Sequence, residues 1–204
     1  MRIILVRHYH TQANADGRII GWLDSPPCDG WKDDVDFIDS QLREQGICFD
    51  AIYSSDLLRA RETARVYAQS FGVAEAIEKA DLKEVNYGKL QAKSKAWAYE
   101  YYPGHKENPD LIYPEGESFR QMQQRGVRCL STLVASHSSD TILVVTHAGM
   151  IRGLVSHFLD LEYGPNLKHR VPFRYIGDFQ FEGGCCVRYR ELGEPSGFVK
   201  QPSP

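Results

Sequence analysis

Two histidines and two arginines stand where apolar runs of this chain end. Ile3-Ile4-Leu5-Val6 runs into Arg7-His8, and Thr141-Ile142-Leu143-Val144-Val145-Thr146 runs into His147. Ala51-Ile52-Tyr53 leads into a helical stretch that carries Arg59. These residue types suit an esterified phosphate. A phosphoryl group in transfer spreads its charge over three oxygens, so catalysis is mostly positioning and electrostatic stabilisation. Guanidinium groups supply permanent, two-pronged donors for such oxygens. A unit charge pair at about 4 Å and an effective dielectric near 20 gains about 4 kcal/mol before desolvation. Neutral imidazole accepts a phosphoryl group near pH 7 because its unperturbed pKa is about 6.5. Arg7 and Arg59 would hold His8 neutral by disfavouring its cation. His147 would donate to the phosphoryl oxygens. The leaving alcohol needs a proton, and Glu84, in Leu82-Lys83-Glu84-Val85-Asn86-Tyr87-Gly88, is the candidate donor. A bound phosphate dianion would help it keep that proton.

Each residue alone has an ordinary explanation. Arg-His is a common polar exit from a strand, Arg59 a common helix-surface cation and Glu84 a common loop carboxylate. His147 could cap a helix. Arg61, Glu62 and Arg65 read as a solvated, ion-paired helix face.

The elements that must bring the four groups together follow from pattern. Residues 2–7, 51–53 and 141–146 are β-branched or apolar runs short enough for buried strands. Residues 31–46, 56–72, 118–135 and 150–159 space their apolar residues as helices do, with Ser54 and Ser55 as caps before Asp56. Gly183-Gly184 between 178–181 and 185–190 predicts a hairpin. Residues 12–30, rich in glycine and proline, predict a loop. Alternating strands and helices imply a parallel sheet covered on both faces, with ligands at the carboxyl ends of its strands. The aromatic stretch 89–114 is read as a lid that packs through its rings, and 193–204 as a loose tail.

The chain has 204 residues, 24 Lys and Arg against 27 Asp and Glu, and a net charge of -3. That size fits a single domain spanning 1–204. The charge argues against a nucleic-acid partner but allows a local cationic pocket. Five cysteines without a C-x-x-C pair, and no export signal or membrane-length apolar run, predict reduced thiols and a cytoplasmic protein.

The motifs resemble those of the histidine phosphatase superfamily, in its phosphoglycerate mutase-like branch, near small phosphatases such as α-ribazole phosphatase. The carriers are Arg7-His8-Tyr9-His10-Thr11-Gln12-Ala13-Asn14, then Ser54-Ser55-Asp56-Leu57-Leu58-Arg59-Ala60, then Glu84 to Gln91. Pro114-Glu115-Gly116-Glu117-Ser118 and Val144 to Arg152 complete the series in family order. The resemblance implies an α/β three-layer sandwich with a mostly parallel central sheet. It implies His8 as the phosphorylated nucleophile, Glu84 as proton donor and His147 as its catalytic partner. Arg7, Asn14, Arg59 and Ala148 would bind phosphate. The implied activity is hydrolysis of a small phosphorylated metabolite, without metal or organic cofactor. The oligomeric state is open, a homodimer included.

Two alternatives stand beside it. One is mutase-type phosphoryl transfer, which the short segment between Gly88 and Pro114 disfavours. The other is a catalytically weak phospho-ligand binder. Its support is Tyr9, which replaces the family's usual glycine and leaves open a reshaped pocket mouth. His10 replaces an acidic residue and is read as a structural contact. Ala92 replaces a further glycine.

Overall fold

A computed structural model of the chain describes residues 1–196 and 198. Four strands form its parallel part: β1 (Arg2–Arg7), β2 (Ala51–Ser54), β3 (Ala76–Glu78) and β4 (Thr141–Thr146). The antiparallel hairpin of β5 (Ile176–Glu182) and β6 (Cys185–Glu191) joins at β1, giving the order β3-β2-β4-β1-β5-β6. The sheet is therefore mixed rather than wholly parallel. The two-glycine turn at 183–184 permits only an antiparallel return. Strand β3 is three residues long and half solvated, too short to leave a readable pattern.

Residues alternate between the two faces of the sheet. Ile4 and Val6 of β1, with Leu143 and Val145 of β4, pack under α2 (Trp31–Glu44) and α3 (Leu58–Phe71). Ile3 and Leu5, with Ile142 and Val144, pack under α5 (Phe119–Ser136) and α6 (Ala148–Phe158). This is the three-layer sandwich that the pattern predicted. Each fully buried Ile, Leu or Val contributes about 2 kcal/mol of hydrophobic stabilisation. Because both faces are covered, strands β1 and β4 are continuous apolar runs.

Shorter helices fill the connections: α1 (Gln12–Ala15) inside the expected loop, α4 (Lys95–Tyr101) in the aromatic stretch, and α7 (Tyr163–Asn166). Helix α3 starts later than its serines suggest. Its N-cap is Leu57, and the Ser55 hydroxyl accepts the Leu57 N–H at 3.2 Å instead of capping the first turn. Ser118 and Gln121 form a reciprocal capping box on α5. The start of the tail is tied down. Glu194 N donates to the Arg174 carbonyl at 3.0 Å, Ser196 N donates to Glu191, and the buried Phe198 stacks on His169. Positions 197 and 199–204 of the expected loose tail lie outside the described residues.

Candidate active site

The register of the two central strands assembles the site. Arg7 of β1 pairs with Thr146 of β4, so the next residues, His8 and His147, emerge side by side. The His8 N–H donates to the Thr146 carbonyl at 2.9 Å, and the two imidazole centroids are 5.0 Å apart. Both rings are buried.

His8 Nδ1 is 2.6 Å from the carbonyl of Tyr9. A carbonyl only accepts, so Nδ1 carries the proton and Nε2 keeps its lone pair. Arg59 Nε donates to that Nε2 at 3.3 Å. Burial first, then Arg59 and Arg7, hold the His8 pKa well below its ordinary value. The ring is thus neutral at pH 7 with its outer nitrogen available as a nucleophile. Burial, then Arg59 and His8, do the same to His147, and among the described residues neither of its ring nitrogens has a hydrogen-bond partner. It occupies the N-cap position of α6 but makes no side-chain cap, so the capping explanation does not hold. A fully buried imidazole without partners is costly unless a ligand completes its bonds.

Arg59 is buried and aimed inward. Its guanidinium donates to the Leu23 carbonyl at 2.9 Å and the Gly21 carbonyl at 2.7 Å. Burial lowers its pKa to about 10, and burial and Arg152 lower that of Arg7 to about 9. Both stay cationic at neutral pH, and among the described residues neither forms an ion pair with a carboxylate. Arg7 donates to the Val171 carbonyl at 2.6 Å and lies 3.6 Å above the Phe173 ring. His10 stacks on the same ring at 4.1 Å, a structural contact as expected from its sequence position. Tyr9 points away from the site into the core beside Trp31, while its N–H donates to Thr63 Oγ1 at 3.0 Å. Its backbone is not left-handed. The tyrosine therefore does not line the cavity.

Glu84 is presented by a clamped loop. Arg125 of α5 donates to the carbonyls of Asp81, Lys83 and Glu84 and pairs with Glu117 at 2.6 Å. Trp22 Nε1 also donates to the Glu84 carbonyl, at 2.7 Å. The carboxylate accepts N–H bonds from Val85 and Gly149. Asn14 and Ala148, the first residue of α6, complete the lining with Arg7, His8, Arg59 and Glu84 around a cavity of about 270 Å³. All the predicted site residues line it except His147, whose ring centroid is 5.0 Å from that of His8.

The sequence model of the histidine phosphatase superfamily, branch 1, matches residues 3–185. The chain belongs to that superfamily. It is 36% identical over 161 residues to the metal-independent phosphoserine phosphatase of Arabidopsis thaliana, covering 74% of this chain but 66% of that protein. To the 2,3-bisphosphoglycerate-dependent phosphoglycerate mutase of Bartonella tribocorum it is 28% identical over 162 residues, covering 75% of this chain and 79% of that one. Among solved structures, YhfR of Bacillus stearothermophilus superposes with a TM-score of 0.81 at 26% identity, over 95% of this chain and 96% of that one.

This member of the superfamily carries more positive charge at its cavity than its sequence motifs revealed. Seven Arg and Lys side chains line it against one carboxylate, Glu84. Lys95, Lys106, Arg152 and Arg170 were not singled out by sequence. Only Arg152 left a signal there, one helical turn after Ala148. None of the aromatic residues of 89–114 lines the cavity. Trp97 and Tyr101 stack on each other at 4.9 Å, and Tyr113 is buried. Among the described residues no group of three or more His, Cys, Asp and Glu side chains could hold a metal, and no helix is long and apolar enough to cross a membrane.

Proposed function

We propose that the protein hydrolyses a small phosphomonoester through a phosphohistidine on His8. The observation that carries this reading is the His8 tautomer. The Tyr9 carbonyl accepts a hydrogen bond from Nδ1–H and so holds the proton on Nδ1, and the flanking guanidiniums keep Nε2 unprotonated.

The step is an in-line displacement. His8 Nε2 forms a bond to phosphorus as the ester P–O bond breaks, and Glu84 gives its proton to the departing alkoxide. Arg7, Arg59, Asn14, His147 and the N–H of Ala148 receive the charge on the phosphoryl oxygens. Water then attacks the phosphohistidine, Glu84 takes a proton from it, and inorganic phosphate leaves. No step calls for a metal or organic cofactor. A cytoplasmic location and a single 1–204 domain with 89–114 as its lid belong to the same reading.

The Arabidopsis relative named for phosphoserine acts on a small phosphate ester, as this chain would. Hydrolysis of p-nitrophenyl phosphate and a panel of phosphorylated metabolites by wild type and His8→Ala tests the reading. Turnover that disappears in His8→Ala supports it. Turnover that survives, or a wild type inert across the panel, rejects it. Phosphate passed from 2,3-bisphosphoglycerate to phosphoglycerate faster than to water would favour the mutase reaction.

A further inference from the structure

Arg59 commits both of its terminal nitrogens to one turn. Leu23 N donates to the Ile20 carbonyl at 3.1 Å, which closes a β-turn over residues 20–23. The guanidinium donates to the carbonyls of Gly21 and Leu23, the two residues that flank Trp22. Gly21 has φ 56°, in the left-handed region, and a β-carbon there would overlap Gln91 Oε1. That same oxygen accepts the Trp22 N–H at 2.6 Å. The turn is thus held by Arg59 and by Gln91. Its indole reaches the acid loop. Trp22 Nε1 donates to the Glu84 carbonyl at 2.7 Å, and Lys83 Nζ, paired with Asp56 at 3.0 Å, lies 4.7 Å over the ring. Among the described residues this is the one hydrogen bond between the turn and the acid loop.

Burial does not explain a tryptophan here. Trp22 is 39% exposed, so much of its apolar area stays in water. What the position uses is the indole N–H. The geometry points to Trp22 as a positioning residue that sets Glu84, the proton donor, in register with Arg59 and the nucleophile. This rests on the phosphatase reading of the site. Arg125 ties the acid loop to α5, and Gly149 ties the Glu84 carboxylate to α6. Neither bond reaches α3, which carries Arg59; the turn and its indole close that gap. When His8 Nε2 takes the phosphorus, its lone pair no longer accepts the Arg59 Nε–H, and the two carbonyl bonds still hold the guanidinium. The attacking nitrogen and the leaving oxygen lie in line on opposite sides of phosphorus. Donor and nucleophile must therefore keep their spacing through the step, and a displacement of about 1 Å costs about 10²-fold.

Trp22→Phe keeps a ring over Lys83 and removes the N–H. The kcat for alkyl phosphates should fall about tenfold with KM nearly unchanged. Hydrolysis of p-nitrophenyl phosphate, whose anion leaves without a proton, should be slowed much less. In a Glu84→Gln background the same substitution should cost nothing further, because it acts through the donor that it positions. Gln91→Met releases the Trp22 N–H and leaves the indole in place. It should give a smaller loss with the same leaving-group pattern, and it carries the test if Trp22→Phe does not fold. Equal slowing of both esters, a change confined to KM, an unaltered kcat, or a Trp22→Phe loss that multiplies the loss of Glu84→Gln would overturn the positioning role. Hydrolysis that still depends on His8 would then leave the phosphatase reading standing.

Discussion

The backbone N–H of Gly149 donates to Glu84 Oε2 at 3.0 Å, and a β-carbon on residue 149 would overlap Glu84 Oε1. The first turn of α6 thus does two things. Its N-cap residue, His147, sits beside the nucleophile, and its second residue, Gly149, leaves room for the proton donor.

Gly149→Ala should push the Glu84 carboxylate out of line without touching it chemically. An alkyl phosphate needs its alcohol protonated, whereas p-nitrophenolate leaves unaided. Alkyl ester turnover should fall about 10²-fold in Glu84→Gln and substantially in Gly149→Ala, with p-nitrophenyl phosphate slowed much less in both. A leaving-group series measures this. Equal slowing for all leaving groups would remove Glu84 from the donor role.

Acid should destabilise the fold earlier than carboxylate protonation alone would. Unfolded, His8 and His147 bind protons near the ordinary value of 6.5; folded, burial and Arg59 keep both neutral well below it. The unfolded chain therefore binds more protons below that value, and stability falls as pH drops. The slope is about 1.4 kcal/mol per pH unit for each histidine. Urea unfolding at several pH values should show it, flattened by one histidine's share in His147→Gln. An identical slope in the variant would contradict the assignment.

Ala92 sits at φ 67°, in the left-handed region that disfavours residues with a β-carbon. Its N–H is held by the Ile19 carbonyl at 2.8 Å, so the turn does not relax. Ala92→Gly should stabilise the fold by about 0.5 kcal/mol once glycine's greater unfolded-state freedom is subtracted. Denaturant midpoints compare the two, and a destabilised variant would show that the turn carries no such strain.

What could be read in the sequence was what local pattern encodes. Strands β1 and β4 are buried on both faces, so their apolar runs and terminal Arg7-His8 and His147 stand out. Arg59 and Glu84 followed from the chemistry that a phosphoryl group needs, and Asn14 from motif order alone. What escaped depended on long-range packing. Tyr9 reads as a pocket residue by position, yet it turns into the core against Trp31. Lys95, Lys106 and Arg170 look like ordinary surface cations until the fold gathers them. The Arg125–Glu117 clamp on the acid loop joins residues whose meaning lies in the carbonyls they reach. Ser55 read as a cap because hydroxyls favour helix starts, but the helix begins three residues later.

Everything chemical here turns on Nε2 of His8. Rapid acid-free quenching of the enzyme with a 32P-labelled ester, followed by peptide mapping, tests that most directly. The account predicts a label on His8 that is stable in base, lost in acid and absent from His8→Ala. A label on a serine, cysteine or other residue, or steady turnover with no labelled enzyme at any quench time, would contradict it.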